Sequence, residues 1–293
     1  MSVPLRDSPV RRPVSTAQVL TVDNGVATKR RDRLATEEPM EIRVQGPGQS
    51  PAPFAVAMRT PGNDFELAVG LCCTEGLVRS AADVETIAYC LSTAATATGE
   101  IEKPEQQYNI VTVRLRAPVP DDLRERRYLA NSSCGICGKA ALDEVEVRCA
   151  PVGAGPRVTA SVLRSLPDQL AAHQRVFEQT GGLHAAARFS AAGELLAVRE
   201  DVGRHNALDK LIGHALLEGA LPLSEQVVLV SGRLSFELVQ KAAVAGVPVL
   251  CAVSAPSSLA VGAAERFGQT VVGFLRDARF NVYAGADRID LGA

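Results

Sequence analysis

No apolar run in this 293-residue chain reaches the ~18 residues needed to cross a bilayer. The first 38 residues are rich in Pro, Arg, Ser and Thr and lack the apolar core of a secretory signal. Charge of one sign is also missing. Lys and Arg number 31 against 33 Asp and Glu, a net of −2, so no basic footprint for nucleic acid exists. The seven cysteines are odd in number and lack framework spacing, which excludes a disulfide scaffold and fits a reducing cytoplasm. Only one CxxC occurs, and there is no HxxxH, so a closed four-ligand zinc site lacks its second pair.

What is present is a hydrophobic share of 46%, enough for a sizeable core, in a length that suggests two domains. Residues 1–38 read as a disordered tail, with Lys29, Arg30, Arg31 and Arg33 as a solvated patch. Residues 39–130 read as a small α/β roll. Alternation at Met40, Ile42 and Val44, and again at Phe54, Val56 and Met58, gives two half-buried strands. After the turn TPGND (60–64), Asp64 and Glu66 open a helix with Cys72 and Cys73 as small core hydrophobes. Strands around 84–91 and 108–116 complete a ββαββ unit.

Residues 131–156 form a thiol loop and linker. In NSSCGICGK (131–139), Gly135 and Gly138 let the backbone gather N–H groups around Cys134 and Cys137. The helical pattern from Lys139 puts both thiols just before a helix N-terminus, where positive potential favours a thiolate. A thiol of pKa ~8.5 is only about 3% ionised at neutral pH, and a shift to ~7 makes it roughly half ionised. The preceding residues form no strand of a thioredoxin-like unit. A zinc site with Cys149 as third ligand, or a buried structural pair, remains the alternative to a mobile reactive loop.

Residues 157–293 alternate continuous apolar strands with helices in the order αββαβαβαβ, a three-layer α/β/α sandwich similar to the cytidine deaminase-like fold. Zinc deaminases carry H-x-E and P-C-x-x-C at two helix starts of that fold. Here these positions read His205-Asn206-Ala207 and SGRLS (231–235), without the glutamate or the thiols. REDVGRHN (199–206), SGRLS, the serines 254, 257 and 258, and Arg276, Asp277 and Arg279 line one sheet edge with TGGLH (180–184), a crevice suited to anions. Neither His184 nor His205 is assigned proton transfer.

Together, MRTPGNDFELAVG (58–70), SSCGICGK (132–139), TGGLHAAA (180–187), REDVGRHNALDK (199–210), SGRLSFE (231–237), SAPSSLAV (254–261) and FNVYAG (280–285) resemble the FdhD family of formate dehydrogenase accessory sulfurtransferases. The resemblance implies a persulfide on Cys134, assisted by Cys137, loaded by a cysteine desulfurase. It implies delivery of that sulfur to the molybdenum cofactor, as bis-molybdopterin guanine dinucleotide, before it enters the formate dehydrogenase catalytic subunit. The cofactor would meet Phe274, Leu275, Arg276, Asp277, Ala278 and Arg279, with Arg233, Ser257 and His205 as further candidates from the crevice. A homodimer without resident metal, nucleic acid or membrane contact is expected. A cofactor-binding chaperone with a structural or redox CxxC, and a deaminase-fold zinc hydrolase, are the competing readings.

Overall fold

The computed structural model describes residues 12–92, 105–120, 128–130, 150–277 and 279–292. The thiol loop with Cys134 and Cys137, and Ala278, lie outside them. No helix among the described residues is long and apolar enough to cross a membrane.

The first described element corrects an expectation for residues 1–38, of which 1–11 lie outside the described residues. Instead of a disordered tail, β1 (Val14–Asp23) and β2 (Val26–Ala35) pair antiparallel over their whole length. The turn between them is Asn24-Gly25, with φ of 47° and 84°. Positive φ at two successive residues is the geometry that two-residue hairpins favour and that Asn-Gly supplies. The dipeptide was the available signal, hidden by the charged composition of β2.

The ββαββ unit follows next, extended by a fifth strand at residues 128–130 that the sequence pattern did not announce. Strands β3 (Glu38–Gln45), β4 (Ala52–Arg59), β5 (Val84–Ser92), β6 (Glu105–Leu115) and the short β7 (Tyr128–Ala130) form one sheet in the order β5-β6-β3-β4-β7. Helix α1 (Asp64–Thr74) buries Leu67, Ala68, Leu71, Cys72 and Cys73. Asp64 also closes a buried fork: Arg59 Nη2 and Nε donate to its two oxygens at 2.9 and 3.1 Å, and Tyr89 adds its hydroxyl at 3.0 Å.

In the second half, the helix expected from about Leu163 to Gln179 is two helices. Thr159 accepts from Val162 N and caps α2 (Ala160–His173), and α3 (Arg175–Thr180) restarts after Gln174. Glu200 supplies the restart, accepting from Val176 N and Phe177 N at 3.0 and 2.8 Å. The remaining elements are β9 (His184–Ser190), β10 (Leu195–Asp201), α4 (Arg204–Leu217), β11 (Gln226–Val230), α5 (Phe236–Val244), β12 (Val249–Ala252), α6 (Ser258–Phe267), β13 (Thr270–Arg276) and β14 (Arg279–Ala284). The sheet order is β10-β9-β11-β12-β13-β14, with β11, β12 and β13 parallel. A two-residue strand, β8 (Val158–Thr159), pairs with β15 (Ile289–Asp290) beside it.

Strand alternation divides the core into two sides. Val227 and Leu229 pack with Leu163, Leu166 and Leu170 of α2, while Val228 and Val230 pack with α4, α5 and α6. These are the three layers of the α/β/α sandwich. The second side does not stop at the domain boundary drawn from sequence: Met40, Ile42 and Phe54 of the roll belong to the same core cluster as Leu208 and Leu211 of α4. The two halves therefore share one core, joined where α1 crosses α4.

Candidate functional site, a polar crevice at one sheet edge

The segment REDVGRHN divides its labour, and the first half works as a clamp. Arg199 Nη2 donates to Glu66 at 2.8 Å, and Glu200 caps α3. Asp201 is fully buried and lies 2.7 Å from the equally buried Lys210 Nζ. It also accepts from Thr60 N, Gly203 N and Asn206 Nδ2. Asn206 reaches across to Met58 O at 2.8 Å, and Lys210 to Thr60 O at 2.9 Å. The polar density expected at the crevice is thus largely spent fastening the turn after β4 to the second half.

What remains for a ligand begins at Arg204. It is the first residue of α4, whose N-cap Gly203 offers no side-chain cap, and its Nε is buried without a partner among the described residues. Its Cδ and the ring of His184 both border Gly232, where a Cβ would stand 3.3 Å from His184 Nδ1. Burial, then the charge of Arg204, push His184 below its ordinary pKa, so the ring is neutral near pH 7. Arg204 was contained in a motif read from sequence but not singled out. Its clue is position: a cation directly after Asp-Val-Gly at a helix start.

The next stations follow along the edge. Ser231 Oγ accepts from Ala185 N at 2.9 Å and holds the turn to β9. His205 Nε2 is 3.2 Å from Ser235 Oγ and 2.8 Å from Glu237 Oε2. That hydrogen bond from His205 holds the Glu237 carboxyl below its usual range. His205 therefore reaches the edge with one nitrogen already engaged. Ser235 starts α5 without giving it a side-chain cap, so its leading N–H groups face the edge as those of α4 do. Arg233 is exposed on the turn between β11 and α5.

Leu234 N donates to Ala255 O and Ser257 N to Leu234 O, which joins this turn to the one before α6. Ser257 is exposed, but its hydroxyl caps α6 by accepting from Ala260 N at 3.2 Å. Phe274 N donates to Ser254 O at 3.0 Å and brings in β13. Register slips between Gly273 and Arg276, and Phe274 has φ of 52°. Such a bulge re-aims side chains. Phe274 is half-buried at the edge with the Arg276 guanidinium 5.9 Å over its ring, while Leu275 is fully buried in the core beneath. Leu275 can offer a ligand only its backbone. Asp277 occupies the turn with φ of 55°, and Arg279 is exposed at the start of β14.

The edge thus presents two helix starts open for N–H donation, the half-buried Arg204, whose buried Nε has no acceptor among the described residues, and exposed Arg233, Arg276 and Arg279. That donor set suits a polyphosphate-bearing ligand. Among the described residues no cluster of three or more metal-ligating side chains occurs. Cys72, Cys73 and Cys251 are buried, and burial raises all three thiols, Cys73 to about 12. None is poised as a nucleophile.

Comparison with known proteins places the chain in a family. The chain is 52% identical over 282 residues to the "Sulfur carrier protein FdhD" of Streptomyces coelicolor, covering 94% of this chain and 95% of that protein. Its namesake in Mycobacterium tuberculosis is 50% identical over 283 residues (95% and 96%), and that of Sulfurisphaera tokodaii 42% over 277 (94% and 99%). The crystal structure of a protein from Desulfotalea psychrophila superposes with a TM-score of 0.72 at 23% identity, over 96% of this chain and all of that one, and so shares the fold. The model of the FdhD/NarQ family matches residues 35–290. By that match and these identities, the chain belongs to the FdhD/NarQ family.

Proposed function

We propose that this protein is a sulfur carrier for the maturation of formate dehydrogenase, acting through a persulfide on Cys134. The observation that carries this reading is the 52% identity, across 94% of the chain, to a protein named for sulfur carriage. In the proposed cycle the Cys134 thiolate attacks the outer sulfur of a persulfide on a cysteine desulfurase. The donor's S–S bond breaks, its cysteine leaves as a thiolate, and Cys134 retains the sulfur. Cys137 assists from three residues further on. The sulfur then passes to the molybdenum cofactor, the substrate of the transfer, in its bis-molybdopterin guanine dinucleotide form.

The crevice supports the second half of the cycle. A guanine dinucleotide is a polyanion, and Arg204, Arg233 and Arg276 with the starts of α4 and α5 would bind its phosphates. His184 would gain a proton beside them. Activation of formate dehydrogenase by Cys134→Ala tests the proposal: the variant should leave the client inactive, and full client activity would refute the persulfide route.

A further inference from the structure

The basic run at 29–33 reads in the sequence as solvated charge, but the pairing of β1 with β2 sorts it. Side chains alternate across a strand. Lys29, Arg31 and Arg33 therefore share one face of the hairpin, and Arg30 and Asp32 take the other. Arg30 is consumed there, its Nε donating to Thr21 Oγ1 at 2.6 Å and its Nη2 lying 3.8 Å from Asp32. The hairpin's two carboxylates, Asp23 and Asp32, both fall on Arg30's face. The first face carries three cations and no carboxylate within either strand.

Apolar groups complete that face. Register sets Leu20 opposite Lys29 and Val22 opposite Ala27, and Leu20 and Val22 are 62% and 64% exposed. Cations spaced roughly 7 Å apart along a strand repel one another mildly in water, and a facing acidic surface relieves that repulsion. Arginine is enriched at protein interfaces, and exposed leucine and valine beside it offer apolar area to bury. A polynucleotide would use only the cations. A membrane would have to accept Asp23 and Asn24 at the apex, ahead of Val22 and Val26, and the hairpin has no aromatic residue to anchor it there.

The root of the hairpin points to which protein. Arg33 Nη1 donates to Gln179 Oε1 of α3 at 3.2 Å, and Ala35 packs against Gly182. Two residues beyond Gly182 is His184, in the crevice. A protein docked on the hairpin therefore stands beside the crevice mouth. The hairpin lies ahead of residues 35–290, the stretch that the family model matches.

We propose that the face bearing Lys29, Arg31, Leu20 and Val22 docks an acidic patch of the protein that receives the crevice's cargo. Under the functional reading above, on which this rests, that protein is the formate dehydrogenase catalytic subunit. Calorimetry of the full chain with that subunit tests it, using wild type, K29E/R31E and L20S/V22S, each confirmed folded by its thermal transition. Both variants should bind roughly tenfold or more weakly than wild type, and wild-type binding should weaken with salt. Both should still take sulfur from the desulfurase. Variants that bind like wild type, or a wild type that does not bind, overturn the proposal. So does a loss seen instead toward duplex DNA or phosphatidylserine vesicles. Failure of Cys134 to acquire sulfur would instead sink the functional reading, and it is scored in a separate assay.

Discussion

Gly70 of α1 and Gly213 of α4 face each other so closely that a methyl group on either would overlap a backbone carbonyl of the opposite helix, that of Asp209 or of Glu66. The two halves of the chain meet backbone to backbone at this crossing. Glycine normally costs a helix up to ~1 kcal/mol relative to alanine. Here Gly70→Ala or Gly213→Ala should destabilise, because the helices must separate and unseat the core they share; overpacking alone costs about 1–3 kcal/mol. Gly262 of α6 has nothing within 4 Å of its Cβ position, so Gly262→Ala should stabilise by about 0.5–1 kcal/mol. Urea unfolding of the three variants reads out the opposite signs.

Beside that crossing, Lys241 Nζ lies 2.9 Å from both oxygens of Asp209 and from Thr74 Oγ1, all buried. Burial works against the lysine's charge, but Asp209 more than restores it and the pKa is raised above its ordinary value of 10.5. The pair's contribution is complete below about pH 10.5 and is lost as pH climbs through the folded value. Asp209→Leu should cost about 3–5 kcal/mol by stranding the cation. D209L/K241M should recover much of that loss, and a double variant no better than the single would contradict the account.

Much of this was legible in the sequence and some was not. The strands around Met40, Phe54, Val227 and Val249 and the helix at Asp64 announce themselves by period, because burial on one or both faces dictates residue type. The hairpin at 14–35 escaped because both its faces are largely exposed, and only Asn24-Gly25 marked it. Within REDVGRHN the charges were visible but not their partners. Asp201 and Asn206 bind Thr60 and Met58, which lie some 140 residues earlier in the chain. Nor does period reveal a bulge. At Phe274 one register slip decides that Phe274 meets the edge and Leu275 the core.

The crevice makes a charge prediction. Removing one charge-assisted hydrogen bond costs about 1.5–3 kcal/mol, roughly a ten- to hundredfold change in affinity. GDP, as a fragment of the proposed cofactor, should bind Arg204→Ala, Arg233→Ala and Arg276→Ala that much more weakly by calorimetry. Cys134→Ala should bind it like wild type. If all three arginine variants match wild type, the crevice does not hold the phosphates.

His184 adds a pH dependence to the same measurement. Its folded pKa is lowered, first by burial and then by Arg204, so the free protein holds the ring neutral at pH 7. A bound phosphate favours the protonated ring, and binding then takes up a proton. GDP affinity should therefore rise as pH falls from about 7.5 toward 5.5. His184→Asn should flatten that slope without abolishing binding.

Thiol chemistry should separate the three buried cysteines from the pair in the thiol loop. Cys72, Cys73 and Cys251 are buried with raised pKa values, so brief iodoacetamide treatment of the native protein at pH 8 should leave them unlabelled. Label should appear on Cys134 and Cys137, and peptide mapping before and after denaturation assigns each site.

The central claim is that Cys134 carries sulfur, and the direct measurement is the mass of its tryptic peptide. After incubation with a cysteine desulfurase and cysteine, that peptide should gain one sulfur atom, and the gain should vanish on reduction and in Cys134→Ala. A peptide that stays unmodified, while the same preparation activates formate dehydrogenase, would contradict the account.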